Sequence, residues 1–293
     1  MCSTRLELAL PASPPASGTA TLKAPNLVQT RASQCADRPI QRLALRRHQL
    51  VGLSQAAWQQ VLALTWRDEQ RGCVQHWSDH GLPLILSRQD LARPELPPAE
   101  GSPRCNDMLA LGLPAPGRWG RHRLSLQVPL SAVQYFDELP GAAEVVHLLA
   151  ATLRGAWLGL CRDLAWLGLQ PQVFGSFGWQ QLTGLSYLRP ASDIDLLLPV
   201  DSPALADAVV DVLTASGFAQ PRLDGELVFA DGSAVAWREW QVWRARQARP
   251  ESSGRHSAEA SQILVKRLDS VTLETGTAWL DRALLDPATP CSR

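Results

Sequence analysis

Apolar and polar positions alternate over Arg121–Val128: Arg121, Arg123, Ser125 and Gln127 share one side, and His122, Leu124, Leu126 and Val128 the other. That period of two predicts a strand with one buried face. Ahead of it, Ser54 can cap a helix that places Trp58, Val61, Leu62 and Trp66 on one face. Leu82–Leu86 is a short apolar strand, and residues 88–117, rich in proline and glycine, read as a long loop. Further along, 142–168 is apolar enough for one long helix or two, and Gln172–Phe174 and Asp193–Leu198 read as strands. Ser202-Pro203 opens a helix that Gly217 ends. Glu226–Phe229 and Ala234–Trp240 pair as a hairpin about Asp231-Gly232, Ile263–Val265 resumes as strand, and Thr275–Leu285 closes as a helix. The pattern divides the chain into a tail of residues 1–40 with no periodicity, a small α/β domain at 41–136, and a larger domain at 137–293. The fold class is α+β.

Chemistry concentrates in 173–198. An apolar strand runs into Gly175-Ser176, and the next strand carries Asp193 and Asp195. Carboxylates two apart on a strand point to the same side, where they repel unless a cation lies between them. Magnesium fills that role, since it takes oxygen ligands and bridges carboxylates to substrate phosphates. A glycine-serine turn facing the pair can offer N–H groups and a hydroxyl to a phosphate. The combination points to nucleotidyl transfer, in which cations and positioning lower the barrier.

A third acid is expected from the hairpin. With a two-residue turn, Asp224 lies opposite Glu239 and Glu226 opposite Trp237, so all three acids share one face; Glu239 and Glu226 are the candidates. Arg189, in the loop before the acids, and Lys266, inside an apolar run, are candidate phosphate contacts. Trp179 is either a packing residue or a platform for a base. His76 and His80 stand four apart, but the motif lacks the glutamate of a metalloprotease.

The bulk numbers narrow the setting. With 28 basic and 28 acidic residues there is no general attraction to nucleic acid or to a membrane surface. Six cysteines without a CxxC pair argue for free thiols and a cytoplasmic protein. The longest apolar region is broken by Arg154, Arg162 and Asp163, so no bilayer span is expected.

Gly-Ser followed by an Asp-x-Asp strand resembles the DNA polymerase β-type nucleotidyltransferase superfamily. The fuller string is Gly175-Ser176-Phe177-Gly178-Trp179-Gln180, Leu182-Thr183-Gly184-Leu185, Tyr187-Leu188 and Ser192-Asp193-Ile194-Asp195-Leu196-Leu197. With Asp224-Gly225-Glu226, Ala236-Trp237-Arg238-Glu239, Leu264-Val265-Lys266 and Leu111-Gly112-Leu113-Pro114, it is similar to one branch, the phosphoribosyl-dephospho-CoA transferases. The likeness covers about 45–290, leaving out the tail and the polar stretch 247–261.

The resemblance implies a nucleotidyltransferase sheet flanked by helices. It also implies transfer of a phosphoribosyl-dephospho-CoA group from triphosphoribosyl-dephospho-CoA to a serine of the acyl carrier subunit of malonate decarboxylase, releasing pyrophosphate. Asp193 and Asp195 then correspond to the magnesium ligands, and Gly175 and Ser176 to the phosphate turn. Carrier domains are commonly acidic, so the Arg121/Arg123 face is expected to help dock one. Two rivals stand beside this reading: an adenylyltransferase with another acceptor, and a non-catalytic protein that only binds nucleotide or carrier.

Overall fold

A computed structural model describes residues 45–89, 108–247 and 262–284. The expectations for 1–40, for most of 88–107 and for nearly all of 247–261 fall outside the described residues.

Two sheets, each with its own apolar core, organise the chain. The first contains β1 (Leu50–Leu53), β2 (Leu84–Leu86), β3 (Met108–Pro114), β4 (Arg123–Pro129) and β5 (Val133–Asp137), in the order β4-β3-β2-β1-β5. Every pairing in it is antiparallel. The alternation in β4 is realised: Leu124, Leu126 and Val128 are buried while Arg123, Ser125 and Gln127 are exposed. Helices α1 (Gln55–Ala63) and α2 (Asp68–His80) cover the apolar face, contributing Trp58, Val61, Val74 and Trp77. Ser54 caps α1 by accepting the Ala57 N–H at 3.2 Å. Strand β3 corrects the expectation of an uninterrupted loop over 88–117. Its Leu109, Leu111 and Leu113 alternate inward, with Gly112 inside the strand and Pro114 at its end.

The second sheet is larger. It comprises β6 (Gln172–Phe174), β7 (Ile194–Pro199), β8 (Leu223–Val228), β9 (Ala234–Ala236), β10 (Gln262–Lys266) and β11 (Val271–Thr275), ordered β11-β10-β9-β8-β7-β6. Strands β7 and β8 are parallel, joined by the crossover helix α5 (Pro203–Ala215); the other pairs are antiparallel. Ser202 caps α5 and Pro203 occupies its first turn, as the sequence predicts. The stretch 142–168 divides into a 3₁₀ segment, Ala142–Leu148, and α3 (Ala151–Trp166). Helix α4 (Gly175–Thr183) follows β6 directly, α6 (Trp237–Gln247) follows β9, and α7 (Ala278–Ala283) ends the described chain. The expected last helix is therefore shorter, and β11, missed in the sequence, takes residues up to Thr275.

One face of this sheet is apolar. Val173, Ile194, Leu196, Leu198, Leu227, Val235 and Val265 point into a core with Trp157, Leu213, Trp240, Trp243 and Trp279 from the helices. On the opposite face lie Phe174, Asp195, Leu197, Asp224, Glu226 and Lys266, because side chains alternate along strands and share a side across paired positions. The site is built on that second face.

Gly225 sets how closely β7 and β8 approach. Its φ is +143°, and a Cβ there would overlap the backbone of Leu196. Gly217, at φ +68°, has open space around it. Gly225→Ala should therefore cost at least about 3 kcal/mol, and Gly217→Ala only about 1 kcal/mol of conformational strain. Urea denaturation of both variants checks the ranking; equal costs would show that the strand contact yields.

Candidate active site

Asp195 sits at the point where three strands meet. It pairs with Phe174 on β6 and, in the parallel ladder, with Asp224 on β8. Asp193 lies just before β7. The chain turns from β6 into α4 at Gly175, whose φ is +63°, and a Cβ on Gly175 would overlap the Asp195 carboxylate. Only glycine allows both the left-handed backbone and that close approach. Gly178, one turn further, is pressed against the carbonyl of Val173, so α4 is seated on its own strand. The Gly-Ser turn and the Asp-x-Asp strand of the sequence are thus brought into contact, with Ser176 in the first turn of α4.

The charge around Asp195 is unbalanced. Burial first, then Asp224, Asp193 and Glu226, push its carboxyl up from 3.8 to about 7, against a smaller opposing effect of Arg222. Arg222 bridges the other two aspartates, 2.7 Å from Asp193 Oδ2 and 3.5 Å from Asp224 Oδ2. Its side chain is half exposed and its charge is correspondingly screened. Among the described residues, no three His, Cys, Asp or Glu side chains are closed around one point as a formed metal site. What the structure supplies is an edge of oxygen donors with surplus negative charge, chemistry suited to a hard divalent cation.

Glu226 has a different role from the one the sequence suggested. It is 5 % exposed and lies within 3.4 Å of Arg47 Nη2, 3.2 Å of His48 Nε2 and 2.8 Å of Lys266 Nζ. Burial would raise its pKa, but His48, Arg47 and Lys266 overcome that and hold it down at about 2. This carboxylate is spent on its three partners. Lys266, placed by its pairing with Ala234, is likewise turned to Glu226.

Glu239 does not join the acids. The β8–β9 register pairs Glu226 with Ala236 and Val228 with Ala234. The connection therefore holds one residue more than the expected two-residue turn, and a slip of one reverses which side chains share a face. Strand β9 then ends at Ala236, and α6 carries Glu239 to the solvent. Asp224 occupies the position expected of the third acid.

A cleft of about 340 Å³ opens beside Asp195, lined by Gly175, Ser176 and Phe174 and by His48, Arg121, Arg123 and Arg189. Arg189 is set by a tight turn, in which its N–H donates to Ser192 Oγ at 2.9 Å. Arg121 has φ +55°, a conformation that turns the chain into β4. Trp179 is 5 % exposed and packs with Leu50, Leu139 and Leu197, so it is a wall of the cleft and offers no open face to a base. Tyr187 closes another side, its hydroxyl donating to the Pro114 carbonyl at 2.7 Å.

Sequence reasoning missed Arg47, His48 and Arg222 and passed over Asp224. The basic run Arg46-Arg47-His48 ahead of β1 was visible, but nothing local says that it meets a strand nearly 180 residues away. A parallel pairing of β8 with β7 would have placed Asp224 at once.

Carboxylates at neighbouring positions of β7 and β8, a glycine turn at a helix start and a wall of arginines suit a phosphate-group transferase. The comparisons with known proteins give the family. Residues 46–138 match the phosphoribosyl-dephospho-CoA transferase MdcG N-terminal domain, and 139–276 match its C-terminal domain. A phosphoribosyl-dephospho-CoA transferase of Xanthomonas campestris pv. campestris (strain 8004) is 34% identical over 233 residues, covering 79% of this chain and 95% of that protein. One from Xanthomonas axonopodis pv. citri (strain 306) is 32% identical over 247 residues, 83% of this chain and 97% of the relative. One from Bradyrhizobium diazoefficiens is 32% identical over 232 residues, 78% and 88%. No solved structure matches. The chain belongs to the phosphoribosyl-dephospho-CoA transferase family. Among the described residues no helix is long and apolar enough to cross a membrane.

The Asp195 charge has a measurable consequence. The folded protein keeps the Asp195 proton up to about pH 7, whereas the unfolded chain releases it near 3.8. The stability this contributes is complete below the lower value and is lost as pH rises through the higher. Without divalent cations, Asp195→Asn should therefore melt above the parent at pH 8 and close to it at pH 5. A parent more stable than the variant at pH 8 in thermal denaturation with chelator would contradict the unbalanced charge.

Proposed function

We propose that this protein attaches a phosphoribosyl-dephospho-CoA group from triphosphoribosyl-dephospho-CoA to a serine of the acyl carrier subunit of malonate decarboxylase, on a polymerase β-like nucleotidyltransferase fold in the cytoplasm. The serine oxygen forms a bond to the innermost phosphorus of the triphosphate, and the bond to the outer two phosphates breaks, releasing pyrophosphate. The observation that carries the reading is the contact of Asp195 with the Gly175-Ser176 turn in an arginine-lined cleft, in a chain of this family.

The chain's own groups divide the work. Backbone N–H groups at the start of α4 and the Ser176 hydroxyl bind and orient phosphate oxygens. Arg121, Arg123 and Arg189 place positive charge along the same cleft, where pyrophosphate gains charge as it leaves. Asp193, Asp195 and Asp224 would hold magnesium, which when bound neutralises phosphate charge and lowers the pKa of the entering hydroxyl. Arg222, spanning Asp193 and Asp224, is the group that such an ion would displace. Lining the cleft, Arg121 and Arg123 favour the donor's phosphates over the carrier surface.

Two outcomes follow. Asp195→Asn should abolish transfer while the variant stays folded, and Glu239→Gln should transfer normally. Incubation with the triphosphoribosyl donor, magnesium and apo carrier subunit, then intact mass of the carrier, measures both. Transfer from ATP alone to other acceptors, without carrier modification, would favour a general adenylyltransferase instead. Charge reversal at Arg121 or Arg123 should raise KM for the donor by about tenfold or more while leaving KM for the carrier unchanged. The opposite split would return these arginines to carrier docking.

A further inference from the structure

A second, larger cavity of about 540 Å³ lies on the same sheet face, one step further along the strands. Strand β7 crosses both: Asp195 lines the first cleft, Leu197 and Pro199 the second. From Asp195 to Pro199 is about 13 Å at the rise of an extended chain. His48 belongs to both linings and forms the wall between them.

The two cavities differ in chemistry. Arginines converge on the first. In the second, Leu197, Val228 and Ala234 make an apolar floor, and Gln49, Gln170 and Gln172 supply amides. The Gln49 side-chain oxygen accepts the Arg46 N–H at 3.3 Å, leaving its two N–H donors. The Gln172 amide donates to Glu138 at 2.7 Å, leaving its carbonyl. Glu226, the buried charge in this wall, is neutralised by Arg47, His48 and Lys266. The lining is therefore apolar and amide-bearing, with two exposed charges at its edge, Arg46 and Glu138. It suits an uncharged, extended ligand carrying its own amides, attached to an anionic group.

We propose that this cavity receives the pantetheine arm of dephospho-CoA, with Arg46 beside the diphosphate that joins the arm to the nucleoside. The proposal rests on the transferase reading, since that reading supplies a donor long enough to occupy both cavities. Peptide-like amides of the arm pair with the glutamines, its methylenes lie on the floor, and its thiol ends away from Asp195.

The thiol makes the test direct. Val228→Cys in the full chain places a cysteine on the cavity floor, and Glu239→Cys provides an exposed control. Each is treated with the oxidised dimer of dephospho-CoA and, for normalisation, with 2-hydroxyethyl disulfide. The cysteine thiolate attacks one sulfur of the disulfide, a mixed disulfide forms, and the other half leaves as thiolate. Peptide mass spectrometry follows position 228 or 239 separately from the natural cysteines. Docking of the arm should give Val228→Cys a normalised rate about tenfold or more above the control, because binding raises the local concentration of the disulfide. Adding Arg46→Glu, an exposed change, should remove most of that advantage. Equal normalised rates at 228 and 239 overturn the proposal, as does an advantage that Arg46→Glu leaves untouched. The labelling needs no catalysis, so absence of carrier modification by the wild type would count against the transferase reading alone.

Discussion

The buried carboxylate of Glu226 is the constraint on which the rest of the site depends. It projects from β8 of one sheet and is met by Arg47 and His48 from the segment that leads into β1 of the other. Lys266 approaches from β10. Moving two or more charges out of water costs several kcal/mol per ion, and the mutual attraction of such a group recovers that only when the geometry is good. The net contribution to stability is therefore small. What the group provides is position, since any arrangement that separates the two sheets takes Arg47 and His48 away from Glu226 and leaves it with Lys266 alone. His48 is fixed by this contact and by the ring of Phe174, 4.6 Å away between centroids. It adopts φ +62°, a conformation that a non-glycine residue holds only when its surroundings demand it. With His48 fixed, both cavities acquire a common wall.

The same sheet face makes a second use of charge in the opposite sense. Glu226 is over-supplied with cations, and its proton affinity falls; Asp195, one pair of residues earlier in the ladder, is under-supplied, and its proton affinity rises. Both are carboxylates on adjacent strands, Glu226 buried and Asp195 partly so. Their difference comes from which elements reach them: a basic segment and a lysine reach one, and two further aspartates the other. A single face can thus hold a carboxylate with lowered and one with raised proton affinity side by side, as long as the cations are delivered by elements that cannot slide along the strands.

Much of this was legible in the sequence because short-range periodicity determined it. Alternation in β4, the cap at Ser54, the Ser202-Pro203 start of α5 and the strand that carries Asp195 each need only a few neighbouring residues. The errors arose where a decision depended on one residue or on distant chain. Adding one residue to the β8–β9 connection moved Trp237 into the core and Glu239 into a solvent-facing helix. The ion pairs of Glu226 were hidden for another reason. Its partners come from the segment before β1 and from β10, and no periodicity links those three pieces of chain. Strand β3, hidden among prolines and glycines, is fixed by the seven positions it pairs with on β4 rather than by its own composition.

Division of labour between the lobes also bears on how a long donor is handled. The carboxylates come entirely from the second sheet, whereas Arg121, Arg123 and His48 come from the first. On the proposed function, the arginines that face a leaving pyrophosphate come from both lobes, while the acids that would hold magnesium come from one. Such an arrangement lets the donor be gripped at its phosphates from one side and aligned against the acids from the other.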